Sequence, residues 1–209
     1  MKPLGCGTNP LTAHQIGSLL DRIKPGDVIG FSASDCLGWS INLATFGIPG
    51  RGLSHIAMAI NFHGDVILAE STILCKSRCV LQGKRVKGVQ AHWLYDRLIG
   101  YKGRVWVYPL QHPFTQQESE RATSFIMEAL GKNYDAIGAY RSTGAGFGWL
   151  ESLLRVEDLS SIFCSELVAA DFRAAGRFPT KDASHWSPNR LARQFLRDGI
   201  IGKPWEIPQ

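Results

Sequence analysis

Residues Leu53 to Thr72 read LSHIAMAINFHGDVILAEST, a pattern typical of a β-hairpin. Two apolar runs, His55–Asn61 and Asp65–Glu70, have the length of β-strands. The segment Phe62-His63-Gly64-Asp65 between them has the composition of a tight turn. We therefore predict two antiparallel strands joined at His63–Gly64.

The register of this hairpin predicts which side chains meet. A turn at His63–Gly64 places His55 opposite Thr72 and Glu70 opposite Ala57, all on one sheet face. Glu70 is then a diagonal neighbour of His55, within reach of its side chain. Such a carboxylate would orient the imidazole and stabilise its charged form. The small side chains of Ala57 and Ala59 are predicted to leave room on the same face for another group to pack or bind.

Helices and strands are also predicted on both sides of the hairpin. The predicted strands are Val28–Ser32, Val86–Val89 and Arg104–Leu110, and the predicted helices are Leu11–Ile23, Leu37–Phe46, Trp93–Leu98, Thr115–Leu130, Ser161–Ala175 and one beginning at Ser187. No repeat or linker divides the chain. The fold class is therefore predicted to be α+β, with an antiparallel sheet packed against helices in one domain over residues 13–209, after an N-terminal arm at residues 1–12.

The composition is that of an ordinary globular protein. Of 209 residues, 44% are hydrophobic and 20% charged, which is enough for one well-buried domain. The start of the chain lacks an apolar signal-peptide core, and no apolar run has the length of a membrane span. We therefore expect the protein to be cytoplasmic as synthesised.

The net charge of +5 is concentrated near the stretch Gly83-Lys84-Arg85-Val86-Lys87. A solvated hairpin tip is the favoured interpretation of this stretch, and peripheral contact with an anionic surface is the alternative. No nucleic-acid-binding motif accompanies it, so no nucleic-acid partner is expected.

Five cysteines are present, an odd number, so at least one thiol is outside any intramolecular disulfide. Cys75 and Cys79 are separated by three residues, but no second Cys or His pair at zinc-like spacing follows. We therefore predict no metal and no cofactor.

Cys164 has the setting of a catalytic nucleophile. It precedes the apolar positions Leu167, Val168 and Phe172, as expected at the start of a helix that packs into the core. A helix N-terminus favours thiolate over thiol, and the amides of Cys164 and Ser165 would there stabilise an oxyanion. His55 is the candidate base and Glu70 the candidate orienting residue. Each residue type alone is more often structural than catalytic.

Other candidates are weaker. Cys36, in Asp35-Cys36-Leu37-Gly38, is a rival nucleophile at another predicted helix start, but His55 follows it too closely for the usual order. Tyr134 is a candidate substrate contact, although it is more often a core residue. The histidines other than His55 have no comparable context.

A family resemblance links these residues. The chain resembles the circularly permuted branch of the NlpC-type papain-like hydrolases, the YiiX-like and YebB-like proteins. The matching motifs follow one order along the chain: Pro25–Ile29, Leu53–Ala57, Leu68–Ser71, Gly131–Asp135, Phe163–Val168 and Ser187–Leu191. Residues 31–52 and 73–103 carry no motif of that family.

The resemblance implies a permuted papain-like fold and a Cys164–His55–Glu70 triad. It also implies a thiol-dependent amidase, peptidase or esterase, or a related acyl transferase, working through a thioacyl intermediate. Peptidoglycan fragments and lipids are the substrate classes that it suggests. Two alternatives stay open: a non-catalytic module that binds lipid or wall fragments, and a structural component of a phage or secretion assembly.

Overall fold

The computed structural model describes residues 13–33, 52–72, 75–99, 101–131, 156–179 and 186–208. Its helices are α1 (Ala13–Leu20), α2 (Leu94–Leu98), α3 (Gln116–Ala129), α4 (Val156–Ala174) and α5 (Pro188–Arg197). Its strands are β1 (Val28–Ala33), β2 (His55–Phe62), β3 (Asp65–Thr72), β4 (Gly88–Trp93), β5 (Gly103–Tyr108) and β6 (Trp205–Ile207). The predicted helix Leu37–Phe46 and the arm at residues 1–12 lie outside the described residues.

The strands form one antiparallel sheet in the order β4-β3-β2-β1-β5-β6. The central hairpin has the predicted register, since Met58 pairs with Ala69 and Phe62 with Asp65. His63 and Gly64 form its turn, and both have positive φ (52° and 96°). The prediction of an α+β protein with an antiparallel sheet packed against helices is confirmed.

The sheet is covered on both faces, because alternate residues of β2 belong to two different cores. Ile56, Met58 and Ile60 pack in one core with residues of α3, α4 and α5. Ala57 and Ala59 pack in the other with residues of α2 and β5, among them Leu98 and Val107. Both alanines are fully buried. The predicted room beside them is filled by the protein's own side chains, so of the two predicted uses of that space, packing and binding, the structure shows packing.

The helix that carries Cys164 begins earlier than predicted. α4 starts at Val156, so Cys164 is its ninth residue and Ser165 its tenth. Amides this far inside a helix donate to carbonyls four residues earlier, and the macrodipole acts mainly within the terminal turns. The predicted location of Cys164 at a helix N-terminus was therefore wrong.

The packing of α4 is nonetheless as the apolar pattern indicated. Leu167, Val168 and Phe172 are all buried in the core that α4 shares with β2 and β3. Burial of side chains of this size stabilises a fold by about 1.5–3 kcal/mol each. This packing fixes the side of α4 on which Cys164 lies.

Among the helices that the structure describes, none is long and apolar enough to cross a membrane.

Candidate active site

His55 and Glu70 meet as the hairpin register predicts. His55 Nε2 lies 2.7 Å from Glu70 Oε2, and the Glu70 side chain is fully buried while 13% of the His55 side chain is exposed. The sequence found this contact because a hairpin turn alone determines the pairing of its strands.

Arg97 of α2 holds the Glu70 carboxylate with two hydrogen bonds. Its Nε donates to Oε1 at 2.6 Å and its Nη2 to Oε2 at 3.0 Å. The guanidinium also stacks over the Phe31 ring, 4.7 Å from the ring centroid, and lies 5.5 Å from the Tyr101 centroid. Sequence reasoning missed Arg97, because nothing in its neighbourhood distinguishes it from a surface arginine.

The burial of Glu70 is compensated by these partners. Burial acts to raise the pKa of its carboxyl group, but the Arg97 guanidinium and the His55 imidazole lower it well below the ordinary value. Glu70 is therefore an ionised carboxylate throughout the physiological pH range.

His55 hydrogen bonds with Cys164 as well as with Glu70. Burial acts to lower the pKa of His55, but the charge of the Cys164 sulfur and the hydrogen bonds with Cys164 and Glu70 raise it from 6.5 to about 9. The imidazole is therefore positively charged at neutral pH, and Cys164 has this charged group as a hydrogen-bond partner although it lies inside α4.

Main-chain contacts hold His55 in place. Asn189 of α5 bonds to Leu53 twice, accepting from its N–H at 2.7 Å and donating to its carbonyl at 2.9 Å. The Ser54 N–H donates to the Phe31 carbonyl at 2.8 Å. Leu53 also packs directly over Gly30, where a Cβ atom would lie only 2.6 Å from a Leu53 methyl group. No pattern in the sequence indicated this role of Asn189.

A second cluster shares Glu70. His92 of β4 is buried, with its Nε2 3.5 Å from Glu70 Oε1 and 3.1 Å from Gln90 Oε1. Burial lowers the pKa of His92, although the charge of Glu70 acts to raise it. One ligand atom each from Glu70, Cys75 and His92 lie within 4.8 Å of one another. His92 therefore lies close to two other possible metal-ligating side chains, which the sequence analysis did not predict.

Sequence reasoning missed this cluster because it tested Cys75 only against Cys79. Cys79 instead is buried, and its sulfur accepts from the Ala91 N–H at 3.4 Å. The ligand atoms come from two strands and a loop, so their spacing along the chain carries no local signal.

The sequence analysis named three weaker candidates, Ser165, Cys36 and Tyr134. The Ser165 hydroxyl donates to the Trp186 carbonyl, and its amide lies inside α4, so its predicted role in an oxyanion site was wrong. Cys36 and Tyr134 lie outside the described residues.

Comparison with known proteins relates the chain to others by fold. No family profile and no curated protein matches it. A solved structure described as the metalloprotein YiiX from Escherichia coli O157:H7 (DUF1105) has a TM-score of 0.51 and 14% identity, over 90% of this chain and 98% of that chain. The chain therefore has a YiiX-like fold. Likeness at this identity extends to the fold alone.

The described residues thus contain a hydrogen-bonded series from Cys164 through His55 to Glu70, and Arg97 donates hydrogen bonds to Glu70 at its end. A thiolate beside an imidazolium that is held by a buried carboxylate can act as a nucleophile, with the imidazolium as the proton donor.

Proposed function

We propose that the protein is a thiol-dependent hydrolase that cleaves an amide or ester bond. The observation that carries this proposal is the hydrogen-bonded series Cys164–His55–Glu70, in which each side chain contacts the next. Groups whose pKa values are shifted by burial together with a specific charged partner cluster at functional sites, and both His55 and Glu70 are such groups.

The reaction has two steps. The Cys164 thiolate attacks the carbonyl carbon, and the His55 imidazolium protonates the leaving amine or alcohol as the bond to it breaks. A thioacyl enzyme and a neutral imidazole result. His55 then takes a proton from water, the hydroxide attacks the thioester, and the Cys164 thiolate leaves. Glu70 stays ionised throughout and stabilises each imidazolium.

The substrate class follows from the family resemblance. The YiiX-like fold and the CSELV sequence at Cys164 support a permuted papain-like hydrolase, whose relatives suggest peptidoglycan fragments or lipid amides and esters. Water is the acceptor in a hydrolase, and a second nucleophile takes its place in an acyl transferase. We expect no nucleic-acid partner.

The first test is alkylation of Cys164 by iodoacetamide, followed by peptide mapping. At about pH 7 we expect Cys164 to react faster in the wild-type protein than in His55→Ala, because only the wild type has an imidazolium beside the sulfur. This difference in alkylation rate is expected to shrink as the pH rises above the His55 pKa of about 9, since the wild-type imidazolium then loses its charge.

Hydrolysis of a panel of acyl amides and esters is the second test. Cys164→Ala should abolish turnover while the circular dichroism spectrum stays that of the wild type, and Cys6→Ala is the control for loss of another thiol. A folded Cys164→Ala protein with full activity would refute the proposal. Equal alkylation of Cys164 in the wild type and in His55→Ala would favour a non-catalytic binding module.

A further inference from the structure

His92 is surrounded by more hydrogen-bond acceptors than it can satisfy. A neutral imidazole has a single N–H. The main-chain carbonyl of Arg78 accepts a hydrogen bond from the ring, while Gln90 Oε1 and Glu70 Oε1 both face its Nε2. The orientation of Gln90 is fixed, because its Nε2 donates to the Thr72 carbonyl at 2.8 Å and to the Gly88 carbonyl at 3.3 Å. A cation among these lone pairs would resolve the surplus.

The nearby donor atoms are those that zinc prefers. Cys75 supplies sulfur, His92 imidazole nitrogen and Glu70 carboxylate oxygen, all within 4.8 Å of one another. Zn²⁺ binds this combination of ligands, whereas Mg²⁺ and Ca²⁺ prefer oxygen alone. Glu70 and His92 are buried and Cys75 is partly exposed, so a metal ion has a route of entry past Cys75.

The Arg97 contact is compatible with a metal. Arg97 Nε uses one lone pair of Glu70 Oε1, and a carboxylate oxygen has a second. Ligating carboxylates commonly accept hydrogen bonds of this kind from neighbouring groups.

The chain also holds Cys75 beside β4 independently of any metal. The Val80 N–H donates to the Ala91 carbonyl at 2.9 Å, and Cys79 is anchored to the same residue through its sulfur. This pins the segment that begins with Cys75 along the strand that carries His92.

We propose that Glu70, Cys75 and His92 form a zinc site that shares Glu70 with the Cys164–His55 pair. Cys75 releases its proton on binding, and the metal takes charge density from Glu70 Oε1, whose partner oxygen holds His55. Zinc therefore competes with His55 for the Glu70 carboxylate, loosens the hydrogen bond that positions the His55 ring and slows reaction at Cys164. This coupling rests on the proposed function, whereas the metal binding does not.

The binding test uses the full chain with Cys164→Ala, which removes the thiol that hydrogen bonds with His55. Titration with Co²⁺ should give a thiolate-to-cobalt charge-transfer band that Zn²⁺ abolishes. Adding Cys75→Ser should remove the band. Adding His92→Gln should lower the affinity for Co²⁺ by more than the roughly 10-fold to 100-fold that results from loss of an outer-sphere partner. His112→Gln, at an exposed histidine, is the matched control and should change nothing.

Absence of the band in Cys164→Ala, or its persistence in the Cys75→Ser double variant, would overturn the proposal. Thermal denaturation of each variant without metal establishes that it is folded, and a variant that unfolds is replaced by Cys75→Ala or His92→Asn.

The coupling test measures alkylation of Cys164 with and without Zn²⁺, by peptide mapping. Zinc should slow this alkylation in a protein with Cys75 intact and leave the rate unchanged in Cys75→Ser. Equal slowing in both proteins would mean that zinc binds Cys164 directly, and it would overturn the coupling even where the cobalt titration establishes the metal site.

Discussion

Two arginine–glutamate pairs with similar geometry differ in what they contribute. Arg97 and Glu70 have side-chain exposures of 14% and 0%, whereas Arg104 and Glu206, joined by bonds of 2.7 and 2.8 Å, have exposures of 46% and 41%. Removal of one partner from a buried pair leaves the other charge buried without compensation. In an exposed pair, water solvates the charge that remains. The chain therefore contains its own control for the role of Arg97.

We expect Arg97→Met to lower the free energy of unfolding by about 3–5 kcal/mol, and Arg104→Met to lower it by about 0–1 kcal/mol. Urea denaturation measures both values. Arg97→Lys keeps the charge but loses the bidentate geometry, so it should stay folded and slow the alkylation of Cys164. Equal losses of stability in the two methionine variants would show that Glu70 does not depend on Arg97.

At the scale of residues, the sequence predicted the contacts that one local pattern determines. The turn at His63–Gly64 sets the register that places Glu70 beside His55, and no other information is needed. Arg97, His92 and Cys75 come from the stretch 73–103, for which no motif was available. Their contacts with Glu70 depend on how β4 and α2 lie against β3, which a single sequence does not specify.

At the scale of elements, the side chain of Asn189 links α5 to the residues that precede β2. Asn189 satisfies both the N–H and the carbonyl of Leu53, two residues before His55, and all of these groups are buried. α5 thereby fixes the start of the strand that carries the candidate base.

Asn189→Ala should lower the free energy of unfolding by about 1–3 kcal/mol for each main-chain group left without a partner. It should also slow the alkylation of Cys164, because His55 is less firmly placed. Urea denaturation and peptide mapping measure the two effects. Asn61→Ala is the control, since Asn61 makes one exposed bond to the Gly64 N–H at 3.0 Å and lies at the far end of β2. If Asn189→Ala lowered the free energy of unfolding no more than Asn61→Ala does, Asn189 would not be what fixes the start of β2.

Element boundaries were predictable where a cap is encoded and less so elsewhere. α3 begins after Thr115, whose side chain forms the predicted capping box with Glu118. α5 begins at Pro188 after the Ser187 cap, again as predicted. α4 begins five residues before the predicted Ser161, and this difference removed the helix-terminus explanation for the reactivity of Cys164.

For the whole molecule, the sequence predicted the layers but not the order of the strands. Alternation of apolar residues in β2 indicates that one strand faces two environments, and the structure has a core on each side. The placement of β5 next to β1, rather than next to β4, results from long-range pairing, so no local pattern indicates it.

The stability of the whole molecule is expected to depend on pH through Asp171. This side chain of α4 is fully buried, and neither of its carboxylate oxygens has a hydrogen-bond partner among the residues that the structure describes. Burial raises the pKa of Asp171 well above 3.8. The folded protein therefore keeps a proton that the unfolded chain loses at about pH 4.

The direction in which stability changes with pH follows from this difference in the number of bound protons. Above about pH 4 the unfolded state binds fewer protons than the native state, so stability falls as the pH rises, by up to about 1.4 kcal/mol per pH unit, until Asp171 ionises in the native state. Asp171→Asn cannot ionise, so it should be more stable than the wild type at pH 8, with the advantage narrowing toward pH 4. Asp198→Asn, at an exposed position after α5, should follow the wild type. Urea denaturation across this pH range measures the difference, and an Asp171→Asn protein that is less stable at pH 8 would mean that Asp171 is ionised and paired in the native state.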